Sequence, residues 1–277
     1  MAVAGAPRPR SRRRGRVGLP LVAALVLAAA VLIVQAWWAA RGVSLPTGPG
    51  YTVDLTVAPY GQRIEETPGA VIELVMLGDS TVAGVGSPTA AESLPALVAQ
   101  RVADRLGRAV HVVGYGVSGA CTDVVRAEQV PLMLDTGVDV VVIVVGSNDV
   151  SHLTPVWNMR SRTQDLLEAA RSQSGAPVVL GGIPQFRTVP RLQQPLRFVT
   201  GVYANALREP QRAAAASDLP VRYVDIAAEA SPRFVGRPES MSADGYHPSP
   251  MGYGFWADAL APAVAAAASD STAGVAS

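Results

Sequence analysis

The feature that most constrains the fold is the run 138–145 (VDVVVIVV), eight residues of which all but Asp139 are β-branched, ending abruptly at Gly146. Such a run suits a strand buried on both faces, and that burial is characteristic of parallel sheets. Shorter apolar runs recur at 71–77 (VIELVML), 110–113, 177–180 and 221–226. Between them the apolar spacing changes to that of helices: 91–106, with Leu94, Leu97, Val98, Val102 and Leu106 on one stripe, then a stretch toward Leu134, then 163–173, 203–217 and 251–268. Strands alternating with helices predict an α/β domain, a five-stranded parallel sheet with helices on both faces. In such sheets reactive groups collect at the carboxyl ends of the strands.

The 277 residues suffice for one such domain with appendages. Residues 19–38 carry no charge and are long enough to cross ~30 Å of hydrocarbon as a helix. Six of the 23 basic residues, all arginine, crowd the first sixteen positions, while Trp37 and Trp38 close the far end. The positive-inside bias then keeps 1–18 in the cytoplasm as a basic tail. A transmembrane anchor over 19–40 sends the rest across the membrane, and a cleaved signal segment would give a secreted protein by the same route. Residues 41–68 read as a linker, 69–268 as the folded α/β domain and 269–277 as a flexible tail. Without those six arginines, 17 Arg against 22 Asp plus Glu leave a body of about −5, unlike a nucleic-acid binder. Cys121 is the only cysteine, so an intrachain disulfide and a multi-cysteine zinc site are excluded.

The polar segments at the strand ends hold the residues that acyl transfer requires. Ser80, in Gly78-Asp79-Ser80, follows the first strand, where its amide can face an anion; alone, the tripeptide equally suits a turn or an N-cap. Asp244 and His247 stand three apart, so the carboxylate can hold one ring nitrogen while the other faces a hydroxyl. Metal ligation gives the same spacing, but three histidines in all disfavour it. His111 reads as a satisfied core residue; His152 could line a pocket or sit in a solvated loop. Asn148, after the long strand, offers a side-chain donor, and Gly119 a backbone one.

In order and placement these segments resemble the sequence blocks of the SGNH hydrolases (GDSL-like lipases and esterases). Leu77–Ser80 (LGDS) is similar to the first block, 114–119 (GYGVSG) to the second, Gly146-Ser147-Asn148-Asp149 to the third and Asp244-Gly245-Tyr246-His247-Pro248 to the fifth. The resemblance spans about 70–265. It implies a flavodoxin-like three-layer α/β/α fold, no metal and no organic cofactor. It also implies Ser80 as nucleophile, His247 as base, Asp244 as its orienter, and an oxyanion hole from the amides of Ser80 and Gly119 with Asn148. Two positions depart from the family: Thr81, where leucine is common, and Gly114, where asparagine is common.

The expected activity is ester hydrolysis on a small-molecule, lipid or glycan ester. A cell-envelope acyltransferase with the same triad, or a catalytically silent binding module, are the alternatives. The loops 151–162, 182–200 and 228–243 are expected to frame the cleft. They mix Trp157, Phe186, Phe198 and Phe234 with Arg187, Arg191, Arg197 and Arg233, which could meet substrate or simply be solvated.

Overall fold

The computed structural model describes residues 18–41, 45, 53–133, 137–216 and 220–275. The chain divides into two compact units, 1–41 and 42–277. In the first, helix α1 (Gly18–Ala40) runs 23 residues without a charge, about 34 Å at 1.5 Å per residue, and Arg41 stacks 4.1 Å above the Trp37 ring. The arginine-rich segment 1–17 lies outside the described residues.

The second unit is built on a six-stranded sheet in the order β1-β3-β2-β4-β5-β6. Strands β2 (Ile72–Gly78), β3 (Val110–Gly114), β4 (Val140–Val144), β5 (Val178–Gly181) and β6 (Val221–Val224) are the five parallel strands expected. The sixth, β1 (Val53–Val57), lies inside the segment read as linker and pairs antiparallel with β3, from Val53↔Gly114 to Val57↔Val110. It is an edge strand with one fully buried residue, Val53, so its sequence VDLTV has no sustained apolar run to announce it.

Helices α2 (Leu94–Leu106), α3 (Thr122–Val124), α4 (Ser147–Ser151), α5 (Val156–Ser174), α6 (Leu196–Ala215), α7 (Ile226–Glu229) and α8 (Pro250–Val275) complete the unit. After α3 the chain continues as a wider π turn, Val125–Gln129, and a 3-10 turn, Val130–Met133; Leu134 lies outside the described residues. The strands alternate between two cores. Leu74, Met76, Val112, Val140 and Val142 face Val98 and Val102 of α2 and Leu260 and Val264 of α8. Val75, Leu77, Val141 and Ile143 face Leu166, Leu167 and Ala170 of α5. Each β4 side chain is buried, and the three-layer α/β/α arrangement follows from that two-sided burial. Three helices exceed their apolar pattern. α5 and α6 start seven residues earlier than expected, in first turns whose apolar residues Trp157, Phe198 and Val199 are exposed, and α8 continues through most of the segment read as a flexible tail, with Asp270 met by Arg222 at 2.5 Å.

His111 departs from the core role expected of it. It is half-buried between two carboxylates, with Nδ1 2.6 Å from Glu73 Oε2 on β2 and Nε2 2.8 Å from Asp54 Oδ1 on β1. The hydrogen bond to Asp54 raises its pKa, burial opposes the rise, and Glu73 adds to it. A folded pKa above the ordinary value of 6.5 means that the stabilisation is fully present below that pH. It is lost as pH rises through the elevated folded value. His111→Gln should therefore lower the melting temperature of the full chain in detergent more at about pH 5.5 than at about pH 9. An equal deficit at both would contradict the pairing.

Candidate active site

Strand β2 ends at Gly78 because nothing larger fits: a Cβ there would lie 2.2 Å from the Val144 carbonyl oxygen of neighbouring β4. The fully buried Gln129 amide clamps the same residue, accepting from Gly78 N and donating to Gly78 O, both at 2.8 Å. This clamp fixes the chain as it leaves the sheet toward Asp79 and Ser80. Residues 80–86 then form consecutive turns, with Ala83 N donating to Asp79 O and Val85 N to Ser80 O, both at 3.0 Å.

Asp79 is buried, and its desolvation raises its pKa against the lowering effect of two hydrogen bonds from Thr81. Thr81 donates to Asp79 Oδ1 from its amide (3.0 Å) and its hydroxyl (2.9 Å). The hydroxyl gives a physical reason for threonine at this position, since a leucine would leave the carboxylate one donor poorer. Gly114, the other departure, has Pro95 and Val53 closing over it at 3.2 and 3.3 Å from a built Cβ. The edge strand β1 thus occupies the space an asparagine would need.

The second loop is pressed against the first. A Cβ on Gly116 would meet Ala83 N at 2.1 Å, and Val117 N donates to Gly78 O at 3.1 Å. Gly119 is exposed with φ +87°, a conformation that favours glycine. The third loop is stapled to the second by Asp149, wholly buried, which accepts from Thr122 N (3.0 Å), Thr122 Oγ1 (2.8 Å) and Thr154 Oγ1 (2.9 Å). Asn148 donates from Nδ2 to Ala120 O at 3.1 Å, leaving its second amide hydrogen for the cleft.

The last loop closes on itself before helix α8. Met241 bridges Pro248, and Ser242 N donates to His247 O at 2.9 Å. Within it Asp244 Oδ1 accepts from Ser242 Oγ (2.8 Å), Tyr246 N (2.8 Å) and His247 N (2.9 Å). Its Oδ2 lies 2.6 Å from His247 Nδ1, and His247 Nε2 lies 2.9 Å from Ser80 Oγ. Burial alone would raise the Asp244 pKa; the hydrogen bonds from His247, the two amides and Ser242 outweigh it and hold the carboxyl below its ordinary range. Tyr246 packs edge-on to the His247 ring at 5.2 Å and meets Ser151 Oγ at 3.2 Å through its hydroxyl.

Ser80, Asn148 and His247 open onto a cleft walled by Pro184, Phe186, Phe234 and Trp256. Loops 182–200 and 228–243 supply Pro184, Phe186 and Phe234 as expected and α8 supplies Trp256, whereas 151–162 supplies none, and Trp157 and Phe198 point to solvent. The four loop arginines are absent from the lining. Arg191 donates to Asp244 O at 3.2 Å, Arg197 to Leu192 O at 2.5 Å and Arg233 to Asp258 at 2.8 Å, while Arg187 stacks on Phe198 at 5.1 Å. His152 does not line the cleft either; its Nδ1 is 2.9 Å from Asn148 O and 3.5 Å from Cys121 Sγ. Burial, then Asp149, pushes the Cys121 thiol up to about 11, so it stays protonated and a poor nucleophile.

Residues 76–255 match the GDSL-like lipase/acylhydrolase family. A GDSL-like esterase of Mycobacterium tuberculosis is 34% identical over 194 residues, which span 68% of this chain and 60% of that relative. A lipase/acylhydrolase from Enterococcus faecalis superposes with a TM-score of 0.56 at 24% identity, covering 71% of this chain and 96% of that one. An acetyl xylan esterase from Geobacillus stearothermophilus does so with a TM-score of 0.52 at 20% identity, covering 71% and 95%. The matched region runs from the end of β2 into α8 and includes every loop that meets at the cleft, so the chain belongs to the GDSL-like lipase/acylhydrolase family.

Proposed function

We propose that the chain is a serine ester hydrolase in which Ser80 attacks the ester carbonyl, His247 is its base and Asp244 orients that base. The observation that carries this reading is the unbroken contact series from Ser80 Oγ through both His247 nitrogens to Asp244. An ionised Asp244 keeps the proton on His247 Nδ1, which leaves the Nε2 lone pair facing the hydroxyl. As Oγ bonds to the carbonyl carbon, its proton passes to Nε2 and the carbonyl oxygen becomes an oxyanion. The amides of Ser80 and Gly119 and the Asn148 side chain receive that charge. The intermediate then collapses, the imidazolium gives its proton to the leaving alcohol, and an acyl-Ser80 remains. Water activated by His247 repeats the sequence and releases the acid. The neutral, aromatic cleft walls favour an uncharged acyl group, and among the described residues no arginine lines it to select a carboxylate or phosphate. Helix α1 would serve as the anchor, with residues 1–18 cytoplasmic and the hydrolase unit outside.

A panel of p-nitrophenyl esters, run on the full chain in detergent with a sugar acceptor present, tests the reading. Free acid should be the product; accumulation of acylated sugar in its place would make the chain a transferase. On the best ester, Asn148→Ala should lower kcat by ~10²–10³-fold with little change in KM, since the donor acts on charge that exists in the transition state. A loss of only a few-fold would remove Asn148 from the oxyanion hole.

A further inference from the structure

An apolar patch lies beside the cleft and is no part of it. Leu153, 70% exposed, and Trp157, 82% exposed, project from the turn before α5 and from its first helical turn. Phe198, Val199 and Val202 are exposed on the first turns of α6. The Tyr203 hydroxyl donates to Thr154 O at 2.5 Å, which brings the two groups together. The patch touches the cleft on two sides: Ser151 holds Tyr246, and Arg187, stacked on Phe198, directly follows the cleft residue Phe186.

Leu153 stands out by its backbone. Among the described residues it is the one non-glycine with positive φ, +55°, so an unfavourable conformation holds an apolar side chain in water. That combination is retained where a surface needs it.

Charge is sorted in the same place. Segments 151–162 and 182–208 contain six arginines and no Asp or Glu, although the unit as a whole is acidic. Arg160 and Arg187 are exposed there. The tether supplies the occupant. Thirteen residue steps separate Ala40, at the end of α1, from Val53, a reach of at most ~45 Å, so a bilayer holding α1 is within range of the domain surface.

We propose that this patch docks onto the anionic bilayer in which α1 is anchored, with the aromatic and aliphatic side chains entering the headgroup boundary and the arginines meeting lipid phosphates. The cleft mouth then opens at the lipid surface, and esters that partition into the membrane reach Ser80 without crossing water. The inference rests on α1 as a membrane anchor, not on the chemistry at Ser80.

The test uses the full chain in vesicles of phosphatidylcholine and phosphatidylglycerol, with and without bromine on the acyl chains. Trp157 emission is taken as the difference between the native chain and Trp157→Phe. Insertion by ~5–10 Å should quench it about two-fold or more in brominated vesicles. The control is Tyr60→Trp in the Trp157→Phe background. Tyr60 is exposed just after β1, at the end of the sheet opposite the cleft, and a tryptophan there should not be quenched. Quenching of Trp37 and Trp38, present in every variant, reports insertion of α1 separately; its absence would remove the tether and the proposal with it. An unquenched Trp157, whether solvated or covered by a second copy of the chain, overturns the proposal, as does equal quenching at both positions.

Discussion

Ser80→Ala is expected to lower turnover of a p-nitrophenyl ester by ~10³-fold or more while the fold survives. The substitution removes one oxygen whose described side-chain contact is His247 Nε2, at 2.9 Å. The clamps that shape the turn belong to other residues: Gln129 on Gly78, and Thr81 on Asp79. Catalysis and stability are therefore separable here. The kcat should collapse while the melting temperature stays within a few degrees. Turnover within tenfold of the native chain would mean that another nucleophile carries the reaction. Cys121, the nearest chemical rival in residue type, is held as a thiol by burial and by Asp149.

Asp244→Asn is expected to lower kcat by ~10⁴-fold, through a tautomer rather than a missing side chain. Three donors, Ser242 Oγ, Tyr246 N and His247 N, converge on Asp244 Oδ1. An asparagine would keep its carbonyl oxygen at that position and so turn its NH2 toward His247 Nδ1. The imidazole would have to accept there and carry its proton on Nε2, facing Ser80 with a donor where the mechanism needs a lone pair. Combining Asp244→Asn with Ser80→Ala should cost little more than Ser80→Ala alone, because the residues act as a unit. Kinetics of the two single variants and the double variant check this. Near-native activity in Asp244→Asn, or additive losses in the double variant, would contradict the orienting role.

Much of the fold was legible because the burial that drives it is written into composition. A strand covered on both faces must be apolar throughout, as β4 is, and β2 is so apart from the half-buried Glu73 near its start. The edge strand β1 escaped because it is half-exposed and gains its order from pairing with β3, a non-local contact that local pattern does not carry. The early starts of α5 and α6 were hidden for a related reason, since the apolar residues of their first turns, Trp157, Phe198 and Val199, face solvent and do not continue the buried stripe. At the candidate site, residue type and loop position singled out Ser80, Asn148, Asp244 and His247; the chain brings Ser80, Asn148 and His247 to one cleft and sets Asp244 against His247. The supporting residues could not be singled out in this way. Gln129 comes from a π turn 51 positions from Gly78, and nothing in its neighbours marks it as a clamp. Asp149 was visible as part of Asn148-Asp149, but its grip on Thr122 and Thr154 depends on how two loops meet. For Trp157, Phe198 and the loop arginines the sequence left substrate contact and plain solvation both open, because residue type near a site does not fix direction. The first turns of α5 and α6 carry Trp157 and Phe198 to solvent, and Arg191, Arg197 and Arg233 are taken up by Asp244 O, Leu192 O and Asp258.

The central claim is that the Ser80 hydroxyl, activated by His247, is the group that bonds to substrate. A fluorophosphonate probe, incubated with the full chain in detergent and followed by peptide mass mapping, tests it most directly. The account predicts one stoichiometric adduct on the peptide bearing Ser80, abolished in Ser80→Ala and strongly slowed in Asp244→Asn. An adduct on any other residue, or none on a folded native chain, would contradict it.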